Sequence, residues 1–329
     1  MKFRTEIRIA PSEVRIGYEN RMLALGSCFA EHLSARLAEA KFRIASNPTG
    51  VLFNPLSIAA ALETFLAPRP VAEEELHTHR GLHFHYDFHG SFSDDDPHRA
   101  LARMNAARAA GAEALRQADR LILTFGTAWV YELRETGEAV ANCHKQPTTL
   151  FRRRRLSTEE IVARFGKLLS GALADRQVIL SVSPVRHLGE GLADNFASKA
   201  TLRLAVEELQ RRHANAVYFP AYEILMDDLR DYRFYADDLV HPSAPAIEYI
   251  WELFTQSCLT ERARALQPQI RAVATAARHR PLHPGSEAHR DFCRRQLEAI
   301  AALPEADLSA EREFFERQMR HTPCPPQRR

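Results

Sequence analysis

Five short apolar runs punctuate the chain, at Met22–Leu25, Phe42–Ala45, Leu121–Phe125, Val178–Val182 and Ala216–Phe219, and stretches of helical period fill most of the gaps between them. Runs of that length read as buried strands, and their alternation with helices predicts a parallel sheet covered on both faces. Directly after the first run, Phe29, Leu33 and Leu37 recur every four residues, which is one face of a helix. Two other helix starts carry chemical markers. Asn54-Pro55 supplies a cap and a first-turn proline ahead of Leu56–Leu66, and Ser157-Thr158-Glu159-Glu160 is a capping box ahead of Ile161–Leu173.

The alternation is interrupted after the third run. Trp129–Leu133, a turn around Thr136-Gly137 and Glu138–Asn142 read as a β-hairpin inserted into the α/β plan. A turn centred on Thr136-Gly137 sets Tyr131 opposite Asn142 and Trp129 opposite His144. It would return Asn142-Cys143-His144-Lys145 to the C-terminal end of the third strand, the edge where open α/β sheets bind ligands. The stretch from Val71 to Asp96, rich in histidine and acid, reads as a long loop over the rim of the sheet. After Leu259 the pattern becomes Arg- and Ala-rich and helical, breaks at Arg280–Gly285, resumes near Glu287–Leu303 and ends in a polar tail. The expected organisation is therefore an α/β domain over residues 1–262 and a helical appendage with a disordered tail over 263–329. No internal repeat is visible.

Composition narrows the class. With 329 residues, 45% of them hydrophobic and 26% charged, the chain can bury a sizeable core, and a net charge of +2 offers no global field for nucleic acid or an anionic membrane. The first twenty residues carry charges throughout and lack the apolar centre of a secretory signal, and no stretch approaches membrane-spanning length. The five cysteines are odd in number, widely spaced and free of any Cys-x-x-Cys pair, an arrangement that fits a reducing, cytoplasmic setting better than a disulfide framework.

Candidate chemistry concentrates at two places. Gly26-Ser27-Cys28-Phe29-Ala30 sits where the first strand meets the first helix, so Ser27 falls near an N-cap. A serine there either caps the helix or acts as a nucleophile whose oxyanion the unpaired helix N–H groups stabilise. Cys28 is a rival nucleophile, but one residue along a helix turns a side chain by about 100°, so the two cannot face the same base. Near the last strand, Asp238 and His241 stand three residues apart in Tyr235–Ser243. A carboxylate at that spacing can hold one imidazole nitrogen and leave the other to take a serine proton. The bland alternative is that both residues only cap the helix Ala244–Leu259.

Taken together, Gly-Ser on the first strand and Asp-x-x-His before the last helix resemble the SGNH hydrolases, and the string Gly26–Ala30 resembles the GSCFA family in particular. Further landmarks similar to that family are Asn47-Pro48-Thr49-Gly50 with Asn54-Pro55-Leu56-Ser57, then Asn142–Pro147, Ser183–His187, Ser198-Lys199-Ala200 and Tyr218–Glu223 running on to Arg230–Tyr235. The resemblance covers about residues 20–255. It implies a three-layer α/β/α, flavodoxin-like fold and an esterase with Ser27 as nucleophile, His241 as base and Asp238 as its orienting partner, acting through an acyl-enzyme without cofactor or metal. In SGNH enzymes the oxyanion hole combines the serine N–H, a glycine N–H after the second strand and an asparagine from a Gly-x-Asn after the third. Gly50 matches the glycine by position, whereas Gly126-Thr127-Ala128 has alanine in place of the asparagine. The hairpin nominates Asn142 as the substitute donor, with Asn54 second.

The remaining candidates surround this expected site. Lys145 and Arg186 are placed to recognise an anionic substrate group, His187 lies at the same edge, and the histidine loop, His89 included, can line the pocket beside His144. Alternate histidines at His77-Thr78-His79 and His83–His89 invite a metal reading, but no flanking carboxylate or cysteine completes a familiar ligand set. Arg152–Arg155 reads as a solvated basic face. The expected reaction is cleavage or transfer of an acyl group held as an ester on a small molecule or carbohydrate, by an esterase or acyltransferase; the rival reading is a non-catalytic glycan- or ligand-binding module on the same scaffold.

Overall fold

A computed structural model describes residues 4–189 and 191–320 of the chain; the expected disordered tail beyond Arg320 lies outside the described residues. All five apolar runs are strands. They are β1 (Arg21–Gly26), β2 (Arg43–Ser46), β5 (Arg120–Phe125), β9 (Gln177–Val182) and β10 (Ala216–Phe219), joined in one parallel sheet of order β10-β9-β5-β1-β2. The chain leaves β1 toward β2 on one side and returns as β5 on the other, so the carboxyl ends of β1 and β5 flank the switch point where such sheets form a crevice.

Strict alternation along the strands feeds two cores. Met22, Ala24, Ile122 and Ile179 face α1 (Cys28–Glu39) and α7 (Ala244–Cys258), where Phe29, Leu33, Trp251 and Phe254 are buried. Leu23, Leu25, Leu121, Leu123, Val178 and Leu180 face α2 (Pro55–Leu66), α3 (Pro97–Gln117), α4 (Thr158–Ser170) and α5 (Leu192–Arg212). The result is a three-layer α/β/α sandwich. Both marked helix starts form as expected: Asn54 Oδ1 accepts the Ser57 N–H at 2.9 Å, and Ser157 with Glu160 closes a capping box.

The C-terminal helices α8 (Glu261–Arg278), α9 (Glu287–Ala301) and α10 (Ser309–Arg320) have no separate core. Ile270, Val273, Ile300, Leu308 and Phe315 belong to the same buried cluster as Phe29 and Trp251, so the appendage thickens the layer on the α1 and α7 face. Among the described residues no helix is long and apolar enough to cross a membrane.

The insertion after β5 differs from the sequence expectation in register and size. β6 (Trp129–Leu133) and β7 (Ala139–Val140) pair with Tyr131 opposite Val140 and Glu132 opposite Ala139, and β8 (Phe151–Arg155) adds a third strand that sets Trp129 opposite Arg155. The turn is set one residue earlier than expected. Gly137 takes a φ of +77° and its N–H donates to the Leu133 carbonyl at 2.8 Å, so the strand pair closes before Asn142. The run Arg152–Arg155 is a paired strand as well as a basic one: Arg152 and Arg154 grip the buried Glu132 at 2.5 and 2.7 Å, and Arg153 stacks on Trp129 at 4.3 Å. In the histidine-rich loop, β3 (His77–His79) and β4 (Leu82–Phe84) form a short hairpin, which the irregular pattern had concealed.

Candidate active site

The Ser27 backbone is extended at φ −70° and ψ 177°, the N-cap conformation for α1, yet its side chain makes no cap bond. Ser27 is 2% exposed, and its hydroxyl, fully buried, has no hydrogen-bond partner among the described residues. A capping serine would spend that oxygen on the N–H of the second or third helical residue, so the capping alternative fails on geometry. The preceding Gly26 is required by the strand-to-helix bend. It holds a φ of +146°, and any Cβ there would run into the Thr124 carbonyl of β5.

His241 reaches the same place from the loop between β10 and α7. Ser27 and His241 both line a cavity of about 330 Å³, together with Cys28, Phe53, Gly126, Ser183, Arg186 and His187. His241 Nδ1 lies 2.6 Å from Asp238 Oδ2, which leaves Nε2 as the nitrogen available to the cavity. Asp238 Oδ1 accepts the N–H groups of Val240 at 2.9 Å and His241 at 3.0 Å, a tight turn that places Leu239 at φ +55°. Those bonds, first the His241 backbone and then its ring, bring the Asp238 carboxyl down to about 2. Ser27 and His241 are not hydrogen-bonded to each other; such bonds commonly tighten only with substrate present.

Cys28 shares the cavity, but burial first and the Glu31 charge second raise its thiol above the ordinary range, so it lacks the acidified state a cysteine nucleophile needs. His32, one turn further along α1, was missed in the sequence. Its proton affinity is lowered by burial and then by the neighbouring His241. The i, i+4 spacing from Cys28 was the available signal.

The expected oxyanion donors require correction. The Gly50 N–H closes a turn onto the Asn47 carbonyl at 2.8 Å and is already used, while its positive φ of +91° and the close approach of His89 Cβ demand glycine for structural reasons. Asn54 spends both amide ends on Ser57, at 2.9 Å each, to cap α2. Asn142 stays in the insertion: its N–H donates to the Tyr86 carbonyl at 3.2 Å and its Oδ1 accepts the His144 N–H at 2.7 Å. It is absent from the cavity lining because the shifted hairpin register ends β7 two residues before it. Ala128, the residue in the expected asparagine position, is wholly buried in the α2–α5 core, so its direction is wrong for a donor.

A different asparagine is bonded to the residue before Ser27. Asn47, directly after β2 with φ +42°, accepts the Gly26 N–H through Oδ1 at 2.9 Å; its Nδ2 is buried with no partner among the described residues, and the side chain is not part of the cavity lining. The sequence displayed it in Asn47-Pro48-Thr49-Gly50, but only the fold shows the contact with Gly26. At the α1 terminus the Ser27 N–H makes only a long 3.4 Å bond to Thr124, and the Cys28 N–H belongs to the first turn, where helix N–H groups have no intrahelical acceptor.

The outer candidates divide. Arg186 and His187 line the cavity, the Arg186 guanidinium lying over Tyr235 at 4.1 Å and Tyr232 at 5.4 Å. His144, Lys145 and His89 do not. His144 stacks on Phe84 at 4.2 Å and bonds the His85 carbonyl at 3.1 Å, Lys145 is exposed at φ +55°, and His89 accepts the Ser91 N–H. Among the described residues no three His, Cys, Asp or Glu side chains are grouped to hold a metal ion. A larger open cleft of about 1130 Å³ lies between α2, the histidine loop and the hairpin, but Ser27 and His241 are not part of it.

The chain matches the GSCFA family over residues 21–254 and the GSCFA domain protein, C-terminal domain, over residues 270–321. It belongs to the GSCFA family. No curated protein matches it. The GSCFA string is thus the bend that delivers Ser27, and the family's C-terminal domain corresponds to the helices that extend the α1 and α7 layer.

Proposed function

We propose that this GSCFA protein is a serine esterase of the SGNH type that cleaves an acyl ester through an acyl-enzyme on Ser27. The observation that carries the reading is a buried serine hydroxyl with no partner, facing one cavity with an imidazole whose other nitrogen is held by Asp238. In the first step Ser27 Oγ bonds to the acyl carbon while its proton passes to His241 Nε2. The tetrahedral oxyanion is held by the Ser27 and Cys28 N–H groups at the start of α1. Collapse breaks the ester C–O bond, and His241 returns the proton to the leaving oxygen. Water, activated by the same imidazole, then releases the acyl group as the acid. Arg186 at the cavity wall favours a polar substrate bearing negative charge, such as a carbohydrate ester with an anionic group.

Treatment with a fluorophosphonate tests the reading: stoichiometric labelling at Ser27, lost in Ser27→Ala, supports it. A protein that binds sugars yet resists labelling at Ser27 would instead be the ligand-binding module that the missing Gly-x-Asn allows.

A further inference from the structure

One buried ionisable group takes no part in this chemistry. Lys199, in the second turn of α5, is 1% exposed, and its Nζ donates to the carbonyls of Gly126 at 2.6 Å and Ser183 at 2.7 Å. The Tyr222 ring lies 5.7 Å away on another side, and no carboxylate is among these partners. Glu223, beside Tyr222, is engaged by Arg203 at 2.8 Å and by the Tyr218 hydroxyl.

The two carbonyls follow directly on β5 and β9, and both Gly126 and Ser183 line the Ser27 cavity. Gly126 packs on the nucleophile, since a Cβ built there would stand 3.3 Å from Ser27 Cβ. The neighbouring Ser198 hydroxyl accepts the Ala128 N–H at 2.7 Å and bonds Thr127 Oγ1 at 3.1 Å. The Ser198-Lys199 pair therefore clasps the turn after β5 from beneath.

A buried ammonium with no carboxylate among its described partners is costly, and burial brings this one down to about 7. A methionine would fill the same space without a buried charge but would leave the Gly126 and Ser183 carbonyls without this donor, so the reason for a cation here lies in those two carbonyls rather than in packing. Its field reaches the cavity wall: burial first and the Lys199 charge second hold His187 below the usual imidazole range.

We propose that Lys199 is a positioning residue of the Ser27 site: by tying the Gly126 and Ser183 carbonyls it fixes the cavity floor, and its ammonium sets a positive potential beneath the point where the oxyanion forms. This rests on the esterase reading. The charge offsets the lost Gly-x-Asn donor, whose position Ala128 occupies facing the core.

The test measures fluorophosphonate labelling of the full chain, resolved into reversible affinity and the rate constant for bond formation, for wild type, Lys199→Met and Lys199→Gln. The methionine keeps the length without charge; the glutamine keeps a donor for one carbonyl without charge. The expected result is that wild type labels at Ser27, while both variants lose about tenfold or more in the bond-forming rate with reversible affinity nearly unchanged. If either folded variant reacts at the wild-type rate, or if only the reversible affinity weakens, Lys199 is a packing residue and the inference falls. Absence of labelling in wild type removes the esterase reading itself, a result distinct from failure of the Lys199 inference.

Discussion

Asp238 Oδ2 stands 2.6 Å from Nδ1 of His241, and the other carboxylate oxygen binds the N–H groups of Val240 and His241. One side chain thus fixes both the loop and the ring. Asp238→Asn should keep the loop's hydrogen bonds but permit the wrong imidazole tautomer, lowering kcat on the order of a hundredfold to ten-thousandfold with the fold intact. Ester hydrolysis and circular dichroism of the variant check this, with Asp237→Asn as control; a larger loss in the control would move the role to Asp237.

On the proposed mechanism, Ser27→Ala and His241→Ala should each reduce ester turnover to background, and the double variant should lose little more, because residues that act as a unit are not additive. Ser27→Ala carries a second signature. Removing a buried hydroxyl that has no partner relieves a desolvation cost of about 1–3 kcal/mol, so its melting temperature should equal or exceed that of wild type. A destabilised Ser27→Ala would mean the hydroxyl has a structural bond after all.

The two asparagines make opposite predictions. Asn142→Ala should leave kcat close to wild type, because that amide is engaged by His144 in the insertion. Asn47→Asp preserves the acceptor for the Gly26 N–H but puts a buried negative charge behind Ser27, which opposes an oxyanion there, and kcat should fall on the order of a hundredfold or more. Steady-state kinetics of both variants decide the assignment, which the reverse pattern would overturn.

His144 predicts a pH dependence of stability. Burial holds it down to about 4, against about 6.5 in the unfolded chain, so between those values the unfolded state binds more protons. Stability should be full above about pH 6.5 and decline as pH falls toward 4, by at most about 3 kcal/mol and less for the ring's solvated edge. Urea unfolding across this range should show the decline in wild type and a flatter profile in His144→Phe, which keeps the stack on Phe84. Equal slopes would exclude His144 as the source.

The sequence by itself determined the sheet and its helices, because a buried parallel strand and an amphipathic helix each write a local period that survives without tertiary context. Met22–Leu25 and Val178–Val182 are strands, Asn54 and Ser157 cap helices, and Asp238 reaches His241 across one turn because three residues suffice. The junction at Gly26-Ser27 was legible for the same reason. What it left open needed the folded geometry, most of it between residues distant in sequence. Whether Ser27 caps or stays unbonded was decided by the local geometry of α1. A turn displaced by one residue at Gly137 kept Asn142 out of the cavity, and a β-register has no intermediate position to soften that error. The contact of Asn47 with Gly26 and the reach of Lys199 to Gly126, 73 residues away, exist only once β2, β1, β5 and α5 are packed together. No local period encodes them, since a single polar side chain among apolar neighbours acquires its partner only from the fold.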